Sequence, residues 1–147
     1  PEKARELGEE RALSLYRGSA DEMYWAFAPY LFAVDGELLD WIVAELWAEP
    51  WGIFAVADED LEAVRRHFRR FLLVQSPEGE HWYFRFYDPR VLPAFLQAST
   101  DEEIAELFGT LSAYVVSPPG SPLPQYISRT HAGATPSKIR IRLHRTD

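Results

Sequence analysis

Apolar positions in the first half of the chain follow two periods, and the pattern predicts strands that alternate with helices. Continuous apolar runs, which are typical of buried strands, occupy residues 30–34, 51–57 and 71–75. Apolar residues at helical spacing, which predict helices with one buried face, occupy residues 36–47 and 58–70. Residues 1–17 are also predicted to be helical, with a break near Gly8.

Residues 81–87 read HWYFRFY, and this ring-rich segment is either a core strand or a binding surface. Turn-forming residues 76–80 connect it to the preceding apolar run, which predicts an antiparallel hairpin. Because side chains alternate across a strand, Trp82, Phe84 and Phe86 share one face. We expect these three rings to lie in the core as scaffold.

A turn and two short helices are predicted after the hairpin. Asp88 with Pro89 predicts a fixed corner, and a helix is expected over 91–97. Thr100 and Glu103 have the spacing of a capping box for a further helix, 101–108, which ends at Gly109. A last core strand is predicted at 111–116.

The order of these elements predicts an α/β domain with a mixed, mostly parallel sheet, one antiparallel hairpin and helices packed on the sheet. We expect this single domain to span residues 1–116. Residues 117–147 are predicted to form a C-terminal extension. It begins as a proline-rich linker and continues as a basic arm or strand, in which residues 138–145 alternate apolar and basic side chains.

Charge and composition narrow the classes of function. The 147 residues contain no cysteine, which excludes disulfide scaffolds and cysteine nucleophiles. The net charge of −8 argues against nucleic-acid binding, and no stretch reaches the roughly 18 apolar residues that span a membrane. Residues 1–64 carry 15 acidic against 4 basic residues, whereas residues 65–147 carry 8 acidic against 11 basic. This asymmetry suggests two differently charged faces for two partners.

The polar residues allow an enzyme hypothesis without favouring it. A small hydrolase or nucleotide-acting enzyme could use His67, Asp88 and nearby arginines as acid–base groups. The sequence lacks a phosphate-binding glycine loop, a dinucleotide fingerprint, a nucleophile elbow and metal-ligand spacing. We therefore expect no cofactor and no metal.

Two basic segments are candidates for partner binding. Arg65, Arg66 and Arg70 lie opposite the apolar stripe of their helix, where they form either a contact patch or a solvated face. The contact residues expected in the C-terminal arm are Tyr126, Arg129, Arg140 and Arg142. The arm either clasps a partner by strand addition or completes its own sheet, and the sequence leaves both alternatives open.

Four segments at matching intervals resemble the effector-adaptor, or effector-chaperone, domain of type VI secretion, which is catalogued as a domain of unknown function. They read APYLFAV, WGIFAVADEDLEAVRRHFRRFLLV, FRFYDPRVLPAFL and ELFGTLSAYVV, and the resemblance covers residues 19–116. Its motif residues, which are expected to serve architecture, are Trp51, Gly52, His67, Arg69, Arg85, Tyr87, Asp88, Pro89 and Arg90.

The resemblance implies a non-catalytic protein of the bacterial cytoplasm. Such adaptors bind a toxic effector in the donor cell and help to load it onto the VgrG spike protein. The implied partners are therefore the cognate effector and VgrG, with no nucleic acid and no membrane. The resemblance also implies a short apolar N-terminal strand, which the sequence from Pro1 onward lacks.

Overall fold

The computed structural model describes residues 1–8, 10–16, 18, 24–76, 78–118, 120–121 and 123–129. The chain divides into two compact units, each made of two stretches of sequence. The first unit contains residues 1–44 and 58–85, and the second contains residues 45–57 and those from 86 onward.

Short helices and strands alternate irregularly along the described chain. The helices are α1 (Glu2–Leu7), α2 (Gly36–Glu45), α3 (Leu61–Arg69), α4 (Leu92–Ala98) and α5 (Asp101–Phe108). The strands are β1 (Ala12–Ser14), β2 (Tyr30–Phe32), β3 (Ile53–Val56), β4 (Leu73–Gln75), β5 (His81–Tyr83), β6 (Ala113–Val116) and β7 (Gln125–Ser128).

The prediction of a mostly parallel sheet is wrong, because all strand pairs in the described residues are antiparallel. The first unit contains the ribbons β1–β2 and β4–β5, and the second contains a three-stranded sheet in the order β3-β6-β7. The three apolar runs of the first half thus enter three different sheets. An apolar run indicates that a strand is buried, but it carries no information about which strand lies beside it.

Two local predictions fail for a related reason. Residues 12–14 form β1 rather than a helix, because Ala12 pairs with Phe32 and Ser14 pairs with Tyr30. The predicted strand 81–87 ends at Tyr83, so the alternation that placed Trp82, Phe84 and Phe86 on one face does not hold along its length. In both places, partners distant in sequence decide the backbone conformation.

The sequence predicted both ends of α5 but not the start of α3. The helix predicted over 58–70 begins only at Leu61, because the side chain of Asp60 accepts a hydrogen bond from the Ala63 amide at 2.7 Å and caps α3. Thr100 and Glu103 form the predicted capping box of α5, each accepting a hydrogen bond from the backbone amide of the other. The helix ends at Gly109, whose φ of 53° favours glycine. The predicted β4–β5 hairpin is confirmed as well.

The core of the second unit is built around β6, the central strand of its sheet. All four residues of β6 are buried, and Tyr114 in its middle is fully inaccessible. The Tyr114 hydroxyl donates a hydrogen bond of 2.7 Å to the Leu107 carbonyl at the end of α5, and its ring lies 4.8 Å from that of Phe108. This bond satisfies one of the carbonyls that a helix terminus leaves without an intrahelical donor. The contacts connect the helix directly to the central strand.

We expect Tyr114→Phe to lower the free energy of unfolding by about 1–3 kcal/mol, because the Leu107 carbonyl loses a buried donor. Urea denaturation followed by circular dichroism measures this change. Tyr126→Phe on the neighbouring strand is the matched control, since Tyr126 is exposed and its loss of a hydroxyl should cost less than about 0.5 kcal/mol. Equal effects of the two substitutions would contradict the role assigned to the buried hydroxyl.

Burial also raises the pKa of the Tyr114 phenol, which makes stability depend on alkaline pH. An unfolded tyrosine loses its proton near pH 10, and the folded state holds this proton more tightly. The resulting stabilisation is complete below about pH 10 and is lost as the pH rises further. We expect unfolding midpoints to fall above that pH, and to fall less steeply in Tyr114→Phe than in the unsubstituted protein.

Candidate interaction surface

Two arginines of α3 hold the end of β1 through its backbone carbonyls. Arg69 donates from Nε to the Leu15 carbonyl at 3.0 Å and from Nη2 to the carbonyls of Ser14, at 3.3 Å, and Tyr16. Arg65 donates from Nε to the same Ser14 carbonyl at 2.8 Å. The planar guanidinium places several donors in a fixed fork, which suits a turn where several carbonyls converge. Arg69, for which the sequence predicts an architectural role, bonds three backbone carbonyls at the end of β1.

Only two of the three arginines predicted to form a basic patch are exposed. Arg65 is turned inward to β1 and also pairs with Glu62 at 3.2 Å, so only 20% of its side chain is exposed. Arg66 is exposed on the same helix, and Arg70 is exposed as the residue that caps its C-terminus. Arg66 and Arg70 are therefore accessible to an acidic partner, whereas Arg65 mainly connects α3 to β1.

His67 is held between neighbours on its own helix and the turn that follows. Its ring centroid lies 5.5 Å from that of Phe68 and 5.1 Å from that of Phe71. Arg70 donates a hydrogen bond of 3.0 Å to Nδ1 of His67. His67 belongs to the first unit, whereas Asp88, its proposed catalytic companion, belongs to the second.

The Asp88–Arg90 segment forms the corner that the sequence predicted. Oδ1 of buried Asp88 accepts hydrogen bonds from the backbone amide and Nε of Arg90, both at 2.9 Å, and Oδ2 accepts one from Nη2 at 2.6 Å. The Asp88 carbonyl accepts from the amides of Val91 and Leu92 at the start of α4. The hydrogen bond and the charge of Asp88 raise the pKa of the Arg90 guanidinium. Pro89 is buried, and the whole motif fixes how the chain enters α4.

Two of the other motif residues, Trp51 and Tyr87, form ring contacts in the second unit. Trp51 meets Phe54 edge to face at 5.1 Å, and its buried indole nitrogen has no hydrogen-bond partner among the described residues. Tyr87 meets Phe86 edge to face at 5.5 Å. Gly52, between Trp51 and β3, has open space where a Cβ would lie. Arg85 is exposed at the end of the first unit.

The β4–β5 hairpin exposes several apolar side chains, including Trp82, which the sequence assigned to the core. Phe86 is buried, but Trp82 is 54% exposed, Tyr83 is 66% exposed and Leu73 is 50% exposed. The expectation that Trp82, Phe84 and Phe86 form one inward face is therefore wrong. The signal for this surface is present in the sequence, since both segments of the hairpin carry apolar residues on consecutive positions, but such runs ordinarily indicate burial.

Further exposed rings occur in both units. In the first unit, Phe27 is 82% exposed and Tyr24 is exposed as well. In the second unit, Tyr126 of β7 and Arg129 after it are exposed, as a contact role requires. The predicted contact residues Arg140 and Arg142, like the predicted strand at 138–145, lie outside the described residues.

Comparisons with known proteins were made against families, curated proteins and solved structures. A family described as "Domain of unknown function (DUF4123)" matches residues 1–106. No curated protein and no solved structure matches the chain. Within the part of the chain that the structure describes, no cluster of His, Asp and Glu side chains could hold a metal ion. The helices in that same part are too short or too polar to cross a bilayer.

We expect Arg69→Lys to lower the free energy of unfolding by about 1–3 kcal/mol, because a single ammonium cannot replace a fork that bonds three carbonyls. The matched control is Arg66→Lys on the exposed face of the same helix, for which we expect a change within about 0.5 kcal/mol. Urea denaturation compares the two. A loss in Arg69→Lys no larger than in the control would show that the carbonyl fork does not stabilise the fold.

Proposed function

Because the chain belongs to the DUF4123 family, which is associated with type VI secretion, we propose that it is a non-catalytic adaptor. In this role it binds a toxic effector in the cytoplasm of the donor cell and helps to load it onto the VgrG spike protein. The partners are accordingly two other proteins, and the work of the molecule is done by its surfaces.

The observation that carries this proposal is the exposure of large apolar side chains on the first unit. Phe27, Tyr83 and Trp82 each expose more than half of their surface. Isolated exposed apolar residues are common, but adjacent rings on one short ribbon are typical of a protein–protein contact. Aromatic side chains are also enriched at the centres of such contacts.

The contacts of the polar motif residues support the same assignment. Arg69 bonds backbone carbonyls, and Asp88 bonds its neighbour Arg90 at a turn. These interactions explain why a fold would need those residues without involving a substrate. The alternative of a hydrolase or nucleotide-acting enzyme draws no support from the contacts of His67 and Asp88, and it stays a prediction.

Charge placement supports a protein with two partners. The acidic excess lies in residues 1–64, whereas residues 65–147 are basic overall. Arg66 on α3 and Arg70 at its C-terminal cap are exposed and are suited to an acidic surface. Complementary charges of this kind increase the rate of association and the selectivity for a partner more than they increase affinity.

Co-expression tests the proposal directly. The tagged chain is expressed with a VgrG protein and a candidate toxin from the same genome, and the purified material is analysed by mass spectrometry. We expect the toxin to copurify with the chain, and VgrG to be recovered with the toxin-bound form. Failure of the toxin to copurify at any salt concentration would overturn the adaptor assignment.

Charge reversal then tests the basic surface. We expect Arg66→Glu combined with Arg70→Glu to weaken retention of one partner by roughly tenfold, mainly through slower association. The matched control, Arg66→Lys combined with Arg70→Lys, keeps both charges and should retain that partner. Unchanged retention in the reversed variant would remove the patch from the contact surface.

A further inference from the structure

The backbone of the β4–β5 hairpin presents hydrogen-bonding groups outward from both strands. The hairpin is bonded through the amide of Phe84 and the carbonyl of Leu72, at 3.0 Å, and again through the amide of Ser76 and the carbonyl of Glu80, at 2.8 Å. In an antiparallel ribbon, bonded and non-bonded pairs alternate. The pairs Leu73–Tyr83 and Gln75–His81 are therefore non-bonded pairs, whose N–H and C=O groups point away from the partner strand.

The outer edge of β5 is an open position for a further strand. Among the residues that the structure describes, none donates to or accepts from the outward backbone groups of His81 and Tyr83. Proteins ordinarily protect such an edge with proline, lysine or a covering element, because it is a template for pairing with another chain. The sequence of β5, His-Trp-Tyr, contains no protecting residue of this kind.

Two exposed aromatic rings lie beside this open edge. Tyr83 and Trp82 alternate across β5, so each face of the ribbon offers one ring beside the open edge. The Tyr83 ring is already placed by Tyr16, whose centroid lies 6.4 Å away. A two-stranded ribbon is marginally stable by itself, and a third strand would bring the sheet to the usual minimum.

The size and charge of the surface indicate what occupies it. The four exposed apolar side chains of the ribbon are Leu73, Val74, Trp82 and Tyr83. They offer a few hundred Å² at most, well below the roughly 800 Å² per partner of a standard stable interface. A second copy of the chain would need more area than this. An added strand instead gains its affinity from main-chain hydrogen bonds, with pockets for alternate side chains.

Charges at the two ends of the ribbon complement an extended segment of mixed sign. Glu78 and Glu80 are exposed at the tip of the hairpin. Arg70, three positions before β4, is exposed toward the opposite end, where its guanidinium also bonds His67. A segment lying along β5 with basic side chains at the tip and acidic ones at the base would match both ends.

We propose that the outer edge of β5 accepts an extended segment of the cargo protein as a third, antiparallel strand. The segment carries apolar residues at alternate positions, acidic residues at its N-terminal end and basic residues at its C-terminal end. This inference rests on the proposed adaptor function, since it takes the cargo as the source of the segment.

Paired proline substitutions test the edge. His81→Pro removes the outward N–H from the β5 edge, whereas Gln75→Pro, at the position directly opposite, removes the equivalent N–H from the β4 edge. Neither substitution removes a backbone hydrogen bond within the hairpin, and proline is tolerated on edge strands. Gln75→Pro additionally removes the hydrogen bond from Gln75 Nε2 to the Gly79 carbonyl, so Gln75→Ala controls for the loss of that side chain. His81→Ala controls for loss of the imidazole. Thermal unfolding establishes that the variants are folded before binding is measured.

The probe is a labelled nine-residue peptide, Asp-Asp-Val-Thr-Val-Thr-Val-Lys-Lys, titrated with the full chain by fluorescence anisotropy. We expect the unsubstituted protein, Gln75→Pro and His81→Ala to bind within twofold of one another, and His81→Pro to bind at least tenfold more weakly. The same peptide with proline as its central valine should bind at least tenfold more weakly than the original. No binding, or equal weakening by both proline substitutions, would overturn the inference.

A second measurement, made on the unsubstituted protein, tests the inference even if the proline variants do not fold. In the unsubstituted protein, hydrogen exchange followed by NMR should show the amides of His81 and Tyr83 slowing on addition of the peptide, while that of Leu73 does not. Unchanged exchange at His81 and Tyr83 contradicts strand addition. A concentration-dependent dimer in sedimentation that His81→Pro abolishes would instead identify the occupant as a second copy.

The same variants separate this inference from the adaptor function. If the toxin copurifies equally with the unsubstituted protein and with His81→Pro, the function stands and the strand-accepting edge is wrong. If the peptide binds as expected but the toxin never copurifies, the edge stands and its assignment to cargo falls with the proposed function.

Discussion

The first unit depends on one interaction, the fork of hydrogen bonds by which Arg69 holds the end of β1. The guanidinium joins carbonyls of Ser14, Leu15 and Tyr16 to a helix more than 50 positions later in the chain. Helix α3 can supply this fork because Asp60 caps its start and because Val64 and Phe68 fix its buried face. Once the end of β1 is held, Tyr16 is placed against Tyr83, and the β5 edge acquires a preformed ring beside it.

The two units place their apolar side chains in different ways. The second unit buries the rings of Tyr114, Phe108 and Phe86 completely and satisfies the Tyr114 hydroxyl internally. The first unit instead leaves Trp82 and Tyr83 in solvent on a ribbon of only two strands. Exposed apolar area lowers the stability and the solubility of a protein. Such a surface is retained where a partner covers it. This difference is the physical basis for assigning binding to the first unit and architecture to the core of the second.

The family motif is largely a description of how the fold is held together. Asp88 and Arg90 define a corner before α4, and Arg69 closes the end of β1. His67 packs its ring between Phe68 and Phe71. The motif does not include the candidate contact residues Arg66, Trp82 and Tyr83. It therefore identifies residues of the scaffold and not those of the contact surface. The predicted basic patch contains two exposed arginines rather than three, because Arg65 bonds the Ser14 carbonyl.

The sequence by itself determined the features that depend on residues within a few positions of one another. The capping box of α5, the corner at Asp88 and the β4–β5 hairpin are all of this kind. Only the tertiary structure decided that every described strand pair is antiparallel, that residues 12–14 form a strand, and that the β5 rings face solvent. Strand pairing joins segments as distant as β3 and β6, and burial depends on what packs against a segment. Neither quantity is contained in the local periodicity of a single chain.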